Sequence, residues 1–342
     1  MSPIRYFCLR TLANQRDIRT KVQPLELDYV ELLFLQNLRI GKLEFFDKFF
    51  LSITIFGEFW LPTLICAVTY WCIDFRAGIY LFSMEGFNSL IAHFLKMIAC
   101  VYRPWVLSDK IQPSPLAIPF AKGYSFPSGH SAMSSSVLGG TAYLLRQKKW
   151  ICTLLISLIL LIGFSRLWLG VHTPQDVIGG FSIGLILIFV VNKIVNWAEK
   201  DANRYLLLAL LTNILAILSV IWIYKFNTYR LDYVNGELLV NPIKTIYVTL
   251  VVDSYLLGLL NGCFLCRRFF PFNPKEASVK NRIIRGIIGS VCVVSMLKYI
   301  IEYMIMNGMH LRFACPILFA TGLFVTLIYP IIFQRFDKII KN

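Results

Sequence analysis

Charge is what this sequence has least of. Only 15% of its 342 residues are charged, against 57% hydrophobic, whereas a soluble domain carries roughly 25% charge. With a mean hydropathy of +0.65 and apolar runs recurring along its length, it does not fit the soluble class. It reads as a polytopic α-helical membrane protein. Acidic residues are scarcer than basic ones, 19 Asp and Glu against 34 Lys and Arg, for a net charge of +15. The basic residues gather in short clusters between apolar runs, where they set membrane topology, so nucleic acid is not an expected partner. No carboxylate cluster and no His/Cys set has the spacing of a catalytic metal site, and neither metal nor cofactor is expected. Cys263 and Cys266 form a C-x-x-C without a second pair or a nearby histidine, which argues against zinc or redox chemistry. Most other cysteines, such as Cys66, Cys152 and Cys292, lie inside apolar runs and behave as small hydrophobes. The N-terminus, with Arg5, Arg10, Arg16 and Arg19, lacks an apolar core followed by a small-residue cleavage site, so no signal peptide is expected.

Residues 1–24 are polar and basic. Residues 25–56 mix apolar stretches with Glu31, Arg39, Lys42, Glu44, Asp47 and Lys48, the pattern of one or two interfacial amphipathic helices. Membrane spans are predicted at 57–73 (with a start as early as Phe49), 78–101, 128–146, 150–168 and 175–194. After a charged break at Glu199-Lys200-Asp201, further spans are predicted at 204–225, 244–265, 285–306 and 313–334. The expected organisation is a basic and amphipathic segment (1–44), a motif-bearing core (45–200) and a C-terminal transmembrane extension (201–342). One set of connections collects Arg76, Arg146, Lys148, Lys149, Lys200, Arg267, Arg268, Lys280 and Arg335, while the alternate connections are poor in lysine and arginine. The positive-inside rule puts the first set in the cytoplasm and turns the loops at 102–126 and 166–174 outward, and the basic N-terminus fits that scheme only if residues 25–56 cross the membrane as well.

Those outward loops hold the unusual chemistry. Lys96 and Arg103, seven residues apart, fall on one face of a continuous helix roughly 10 Å apart along its axis, and Pro104 ends that helix. Alone, the pair is equally a set of snorkelling cations. The stretch from Lys122 to His130 is polar and turn-prone, with Pro127 suited to a first helical turn. The Ser128-Gly129-His130 step at a helix start presents backbone N–H groups, a hydroxyl and an imidazole, an anion site with a proton donor attached. Alone, this is equally a capped helix that contains a histidine. Thr173 is a predicted N-cap, Pro174 the first helical residue and Asp176 the third, leaving His172 just outside the helix with a carboxylate within reach of its ring. Together, three cations (Lys96, Arg103, Arg166), the Ser128-Gly129 amide cradle and two histidines make an arrangement that a phosphoryl group needs.

In these motifs the sequence resembles the type 2 phosphatidic acid phosphatase and haloperoxidase superfamily. Its three-part signature occurs in order: Lys96 to Arg103-Pro104, Pro127 to His130, and Ser165-Arg166 to His172 and Asp176. The resemblance covers about residues 45–198. It implies an all-α membrane bundle with a six-helix phosphatase core, to which the extension adds about four helices by its apolar runs. It implies that His172 attacks phosphorus to form a phosphohistidine, that Asp176 orients it, and that His130 protonates the leaving oxygen. Lys96, Arg103, Ser128, Gly129 and Arg166 hold the phosphoryl oxygens in that scheme. The implied protein is a metal-independent hydrolase of a lipid phosphate or diphosphate in a bacterial plasma membrane, with its site facing outward. Two alternatives are a lipid phosphotransferase using the same phosphohistidine and a non-enzymatic transporter or scaffold. In the extension, Asp253 and Lys298 are predicted to share a depth and to pair, with Glu302 one turn away. In the core, His93, one turn before Lys96, either supports the site or simply packs, and packing is the preferred reading.

Overall fold

The computed structural model describes residues 29–40, 45–121, 123–225, 227, 229, 231–234, 237–301, 303 and 309–341. The N-terminal arginines, Lys42, Glu44, Lys122 and Glu302 lie outside the described residues. The chain runs through α1 (Val30–Arg39), α2 (Phe45–Thr54), α3 (Trp60–Val68, continued by a π-turn to Ile73), α4 (Phe75–Ala99) and the short α5 (Pro104–Leu107). It continues through α6 (Gly129–Leu144), α7 (Lys149–Trp168), α8 (Pro174–Ala198), α9 (Asn203–Lys225) and α10 (Pro242–Phe269). After these come α11 (Val279–Ser295), α12 (Leu311–Leu323) and α13 (Tyr329–Lys341). Among the described residues the only strands are two residues each, β1 (Tyr233–Val234) and β2 (Glu237–Leu238), in the α9–α10 connection. The fold is therefore an all-α, multi-pass bundle.

Among the described residues, six helical stretches are long and apolar enough to cross a membrane, and a seventh arises if α2 and α3, bent by 47°, count as one. The predicted spans in α4, α7, α8, α9, α10 and α12–α13 are among them. Helix α6, with 16 residues, is shorter than the roughly 20 that a lipid-facing span needs. It sits among α4, α7 and α8, and most of its residues from Ser131 to Ala142 are buried. Its polar composition, Ser131, Ser134, Ser135 and Ser136, is tolerated because it faces helices rather than lipid.

Within lipid, helices are held by close approach of small residues rather than by burial of apolar surface. On α8, a Cβ added to Gly180 would lie 2.7 Å from the Ser128 carbonyl, and one added to Gly184 would lie 2.1 Å from Ser135 Oγ. These two positions, one turn apart, let α8 press against the start of α6. The extension uses the same device, since a Cβ on Gly258 of α10 would lie 2.1 Å from the Phe319 carbonyl of α12. One buried cluster joins Tyr70, Trp71 and Phe82 of the first half to Tyr255, Leu260 and Phe264 of α10, so the two halves share a core.

Two expectations change. Arg39 and Asp47, expected as charges on the polar faces of amphipathic helices, form a buried ion pair at 3.4 Å, with Trp168 Nε1 donating to Asp47 at 3.0 Å. This pins α1 and α2 to the end of α7. The Asp253–Lys298 pair does not form. Lys298 is exposed, while Asp253 Oδ1 accepts from Ser89 Oγ at 2.9 Å and lies 2.7 Å from His93 Nδ1. A shared depth suggested the pair, but α10 packs on α4, α9 and α12. His93 is consequently a hydrogen-bonding residue and not mere packing.

Candidate active site

Three segments meet at one end of the bundle. The last turn of α4 brings Lys96, whose ammonium donates to the carbonyls of Tyr124 (2.9 Å), Ser125 (3.2 Å) and Pro127 (2.9 Å). The helix stops at Ala99, and Cys100 takes the left-handed conformation with φ 47°. Arg103 therefore lies beyond the helix, in extended backbone before Pro104, and not on the Lys96 face two turns on. Its guanidinium nonetheless returns to the same place. Arg103 Nε donates to the Gly123 carbonyl at 3.3 Å and Nη1 to the Val171 carbonyl at 2.8 Å.

The second segment is the start of α6. Pro127 precedes the helix, which begins at Gly129 with Ser128 as N-cap. Ser128 Oγ accepts from the Ser131 amide and hydroxyl, and its own N–H donates to the Asp176 carbonyl at 3.0 Å. Gly129 is exposed and a Cβ built on it meets nothing within 4 Å, so the space beside the first residue of α6 is open. His130 is half-buried, within electrostatic reach of Arg166, His172, Arg103 and Lys96.

The third segment turns from α7 into α8. Gly170, with φ +68°, makes the turn, and a Cβ there would crowd Pro113 at 3.2 Å. Thr173 caps α8 in a capping box: its hydroxyl accepts from the Asp176 N–H at 3.3 Å, and Asp176 Oδ2 accepts from the Thr173 N–H at 2.8 Å. The same Oδ2 lies 3.3 Å from His172 Nδ1, so Asp176 both caps the helix and backs the histidine. Arg103 Nη1 is 2.7 Å from His172 Nε2. An arginine can only donate, so Nε2 carries the lone pair and the ring proton sits on Nδ1, toward Asp176. Burial, then the charges of Arg103, Arg166 and Lys96, hold the His172 imidazole well below its usual pKa.

Arg166, in the last turn of α7, is 2% exposed. Its Nε is buried without a hydrogen-bond partner, beside Arg103 and within electrostatic reach of Glu58. A buried guanidinium left unsatisfied is expensive unless an anion completes it. The site thus gathers all eight residues singled out from the sequence: Lys96, Arg103, Ser128, Gly129, His130, Arg166, His172 and Asp176. Lys96, expected to hold a phosphoryl oxygen, donates here to three loop carbonyls. Among the described residues, no three His, Cys, Asp or Glu side chains converge as metal ligands.

Two residues were given no role from sequence. Ser125 Oγ donates to Asp176 Oδ2 at 2.6 Å and lies 3.3 Å from His172 Nδ1. Only its membership of the polar stretch before Pro127 hinted at it. Glu58 sits at the α2–α3 break, where Gly57 packs against His130 so closely that a Cβ would lie 2.9 Å from its carbonyl. A carboxylate at the site end of an apolar run was the available signal.

Comparison with known proteins supplies the context. Residues 77–200 match the PAP2 superfamily, and residues 254–341 match the transmembrane extension of PAP2 superfamily phosphatases. Over 104 residues the chain is 34% identical to phosphatidylglycerophosphatase B of Bacillus subtilis, covering 28% of this chain and 50% of that one. Over 95 residues it is 38% identical to undecaprenyl-diphosphatase of Sulfolobus acidocaldarius, covering 28% and 44%. The chain spans about half the length of the curated relatives it matches. Among solved structures, a transmembrane PAP2-type phosphatidylglycerolphosphate phosphatase from Bacillus subtilis aligns with a TM-score of 0.40 at 25% identity, over 58% of this chain and 94% of that one.

Proposed function

From a chain that belongs to the PAP2 superfamily and carries both its domain and its transmembrane extension, we propose an integral membrane phosphatase that hydrolyses a lipid phosphate or diphosphate through a phosphohistidine. Residues 45–200 form the catalytic unit and 201–342 the extension. The observation that carries the reading is Arg166, a buried guanidinium with an unpartnered Nε, within electrostatic reach of His130 in the first turn of α6, where the space beside Gly129 is open. That combination suits a phosphoryl group, whose oxygens take arginine and backbone N–H donors together.

In the reaction, Arg103 shifts from His172 Nε2 to a phosphoryl oxygen, which frees the Nε2 lone pair. Nε2 then forms a bond to phosphorus as the phosphorus–oxygen bond to the lipid breaks, and Asp176 stabilises the positive charge spreading to Nδ1. His130 gives its proton to the departing oxygen. In the second half His130 takes a proton from water, the new oxygen–phosphorus bond forms, and the nitrogen–phosphorus bond breaks. Arg166, Arg103 and the Gly129 amide hold the non-bridging oxygens through both steps. The names of the relatives, a phosphatidylglycerophosphatase and an undecaprenyl-diphosphatase, support a lipid substrate. The basic end of the bundle, where Arg267 pairs with Glu199 at 2.7 Å and Arg76 bonds Asn196, lies opposite the site. By the positive-inside rule it faces the cytoplasm of a bacterial cell and the site faces outward.

The test is phosphate release from lipid monophosphates and diphosphates by the purified full-length protein, with EDTA present. Wild type releases phosphate, and His172→Ala lowers the rate by about 10³-fold or more. Activity abolished by EDTA, or untouched by His172→Ala, contradicts the mechanism.

A further inference from the structure

The extension reaches the site through one carboxylate. Asp253, on α10, accepts at Oδ1 from Ser89 Oγ (2.9 Å) and lies 2.7 Å from His93 Nδ1. Ser89, His93 and Lys96 stand at positions i, i+4 and i+7 of α4, so they form one stripe along that helix. One end of the stripe is held by Asp253. The other end, Lys96, holds the carbonyls of Tyr124, Ser125 and Pro127. Ser125 in turn donates to Asp176 at 2.6 Å. Polar contacts at Asp253 and at Lys96 are thus joined by one helical turn of α4 backbone, and the loop carries the line on to the carboxylate behind His172. The same loop leans on the extension directly. Tyr124 is buried in one cluster with Ile223 and Ile246, and a Cβ on Gly123 would lie 3.2 Å from Thr245 Oγ1.

A carboxylate inside an apolar span is costly, and bare packing of α10 on α4 does not need one. Helix α4 ends at Ala99 with Cys100 left-handed, so its last turn is not continued by another turn of the same helix. Hydrogen bonds at Ser89 and His93 fix both the rotation and the height of that turn, which dispersion contacts alone do not. We infer that Asp253 is a positioning residue: it sets α4 so that Lys96 holds the 123–127 loop and its Ser125 in register with Asp176 and His172. The inference rests on the phosphatase reading for its consequence in catalysis, but not for its consequence in the loop.

The test uses the full-length protein in lipid nanodiscs, with kcat and KM for a lipid monophosphate and amide hydrogen exchange over residues 121–128. Four variants are compared: Asp253→Ala, Asp253→Asn, His93→Asn and His93→Gln. Asparagine at 93 puts an N–H where Nδ1 stands, and glutamine puts it near Nε2. Asparagine at 253 keeps an accepting oxygen. Asp253→Ala and His93→Gln should lower kcat by about 10- to 100-fold, the scale of a misplacement near 1 Å, with KM within about twofold. They should also speed exchange in the loop. Asp253→Asn and His93→Asn should stay within about threefold of wild type. A plain inter-helix staple would lower the melting temperature of Asp253→Ala and leave kcat and loop exchange as in wild type, and that result overturns the inference. So does an equal loss in both His93 variants, which also decides the matter should Asp253→Ala fail to fold. If the wild type releases no phosphate from any lipid phosphate, the phosphatase reading fails on its own. Loop exchange then decides whether Asp253 controls the 123–127 loop: faster exchange supports it and unchanged exchange refutes it.

Discussion

Arg166 is the residue whose position asks most for an explanation, because a charged group buried with an unpartnered Nε lowers stability. Replacing a whole buried ion pair by apolar residues of similar volume is often neutral or stabilising, and the same direction is expected for a buried guanidinium whose Nε has no partner. Arg166→Met should therefore melt at the same or a higher temperature than wild type while losing phosphate release and vanadate binding. A fall in melting temperature would show that the guanidinium serves structure instead. His172 gives a prediction with a sign. Its folded pKa is depressed by burial and then by Arg103, Arg166 and Lys96, so the unfolded chain binds the proton first as the pH falls. The stability this residue contributes is full above about 6.5, the unfolded imidazole value, and declines as the pH falls below it. Wild type should lose melting temperature relative to His172→Gln on acidification below that value, and a constant difference would contradict the burial. The gathering of these residues was legible, because the three motifs taken together, though neither of the first two alone, point to one shared place. Ser125 was not. A serine in a polar loop has many local uses, and nothing in sequence distance shows that its hydroxyl meets a carboxylate 51 residues away.

At the scale of elements, α8 was the most readable. Thr173, Pro174 and Asp176 dictate its first turn through local hydrogen bonds, and the structure forms the capping box there. The end of α4 was misread, since Pro104 marks a helix boundary but the helix closes earlier at Cys100. A left-handed cysteine carries no sequence signal, and glycine is the usual residue there. What holds the site-bearing helices together is the crossing of α6 and α8, whose closeness depends on Gly180 and Gly184. A leucine at Gly184 must displace Ser135, because even a Cβ would stand 2.1 Å from its Oγ. Gly184→Leu should move Ser128 away from the Asp176 carbonyl and abolish phosphate release together with thermal stability. Retained activity would mean that this crossing does not set the site. Gly129, by contrast, has open space at its Cβ, so the same kind of change there should spare the fold.

For the molecule as a whole, the all-α bundle and six of its predicted spans follow from hydropathy alone. The predicted spans at 128–146 and 285–306 do not appear among the candidate spans of the described residues, and the lateral arrangement does not follow from hydropathy either. Asp253 shows why. Depth along a span can be counted from its ends, and the count put Asp253 level with a cation. Which neighbouring helix supplies the partner depends on packing order, and α10 faces α4 across the seam between the halves. The extension is thus part of the structure around the site, contributing Ile223, Ile246 and Thr245 to the wall behind Tyr124 and Gly123. The account joins two claims, a histidine that takes the phosphoryl group and a site that opens outward. One measurement meets both. Right-side-out vesicles containing the full-length protein are given a lipid phosphate labelled on phosphorus, in the outer leaflet only, and quenched with base during turnover. The predicted result is a base-stable, acid-labile phosphate on His172, absent from His172→Ala. Phosphate released at an undiminished rate with no label on His172 would contradict the account.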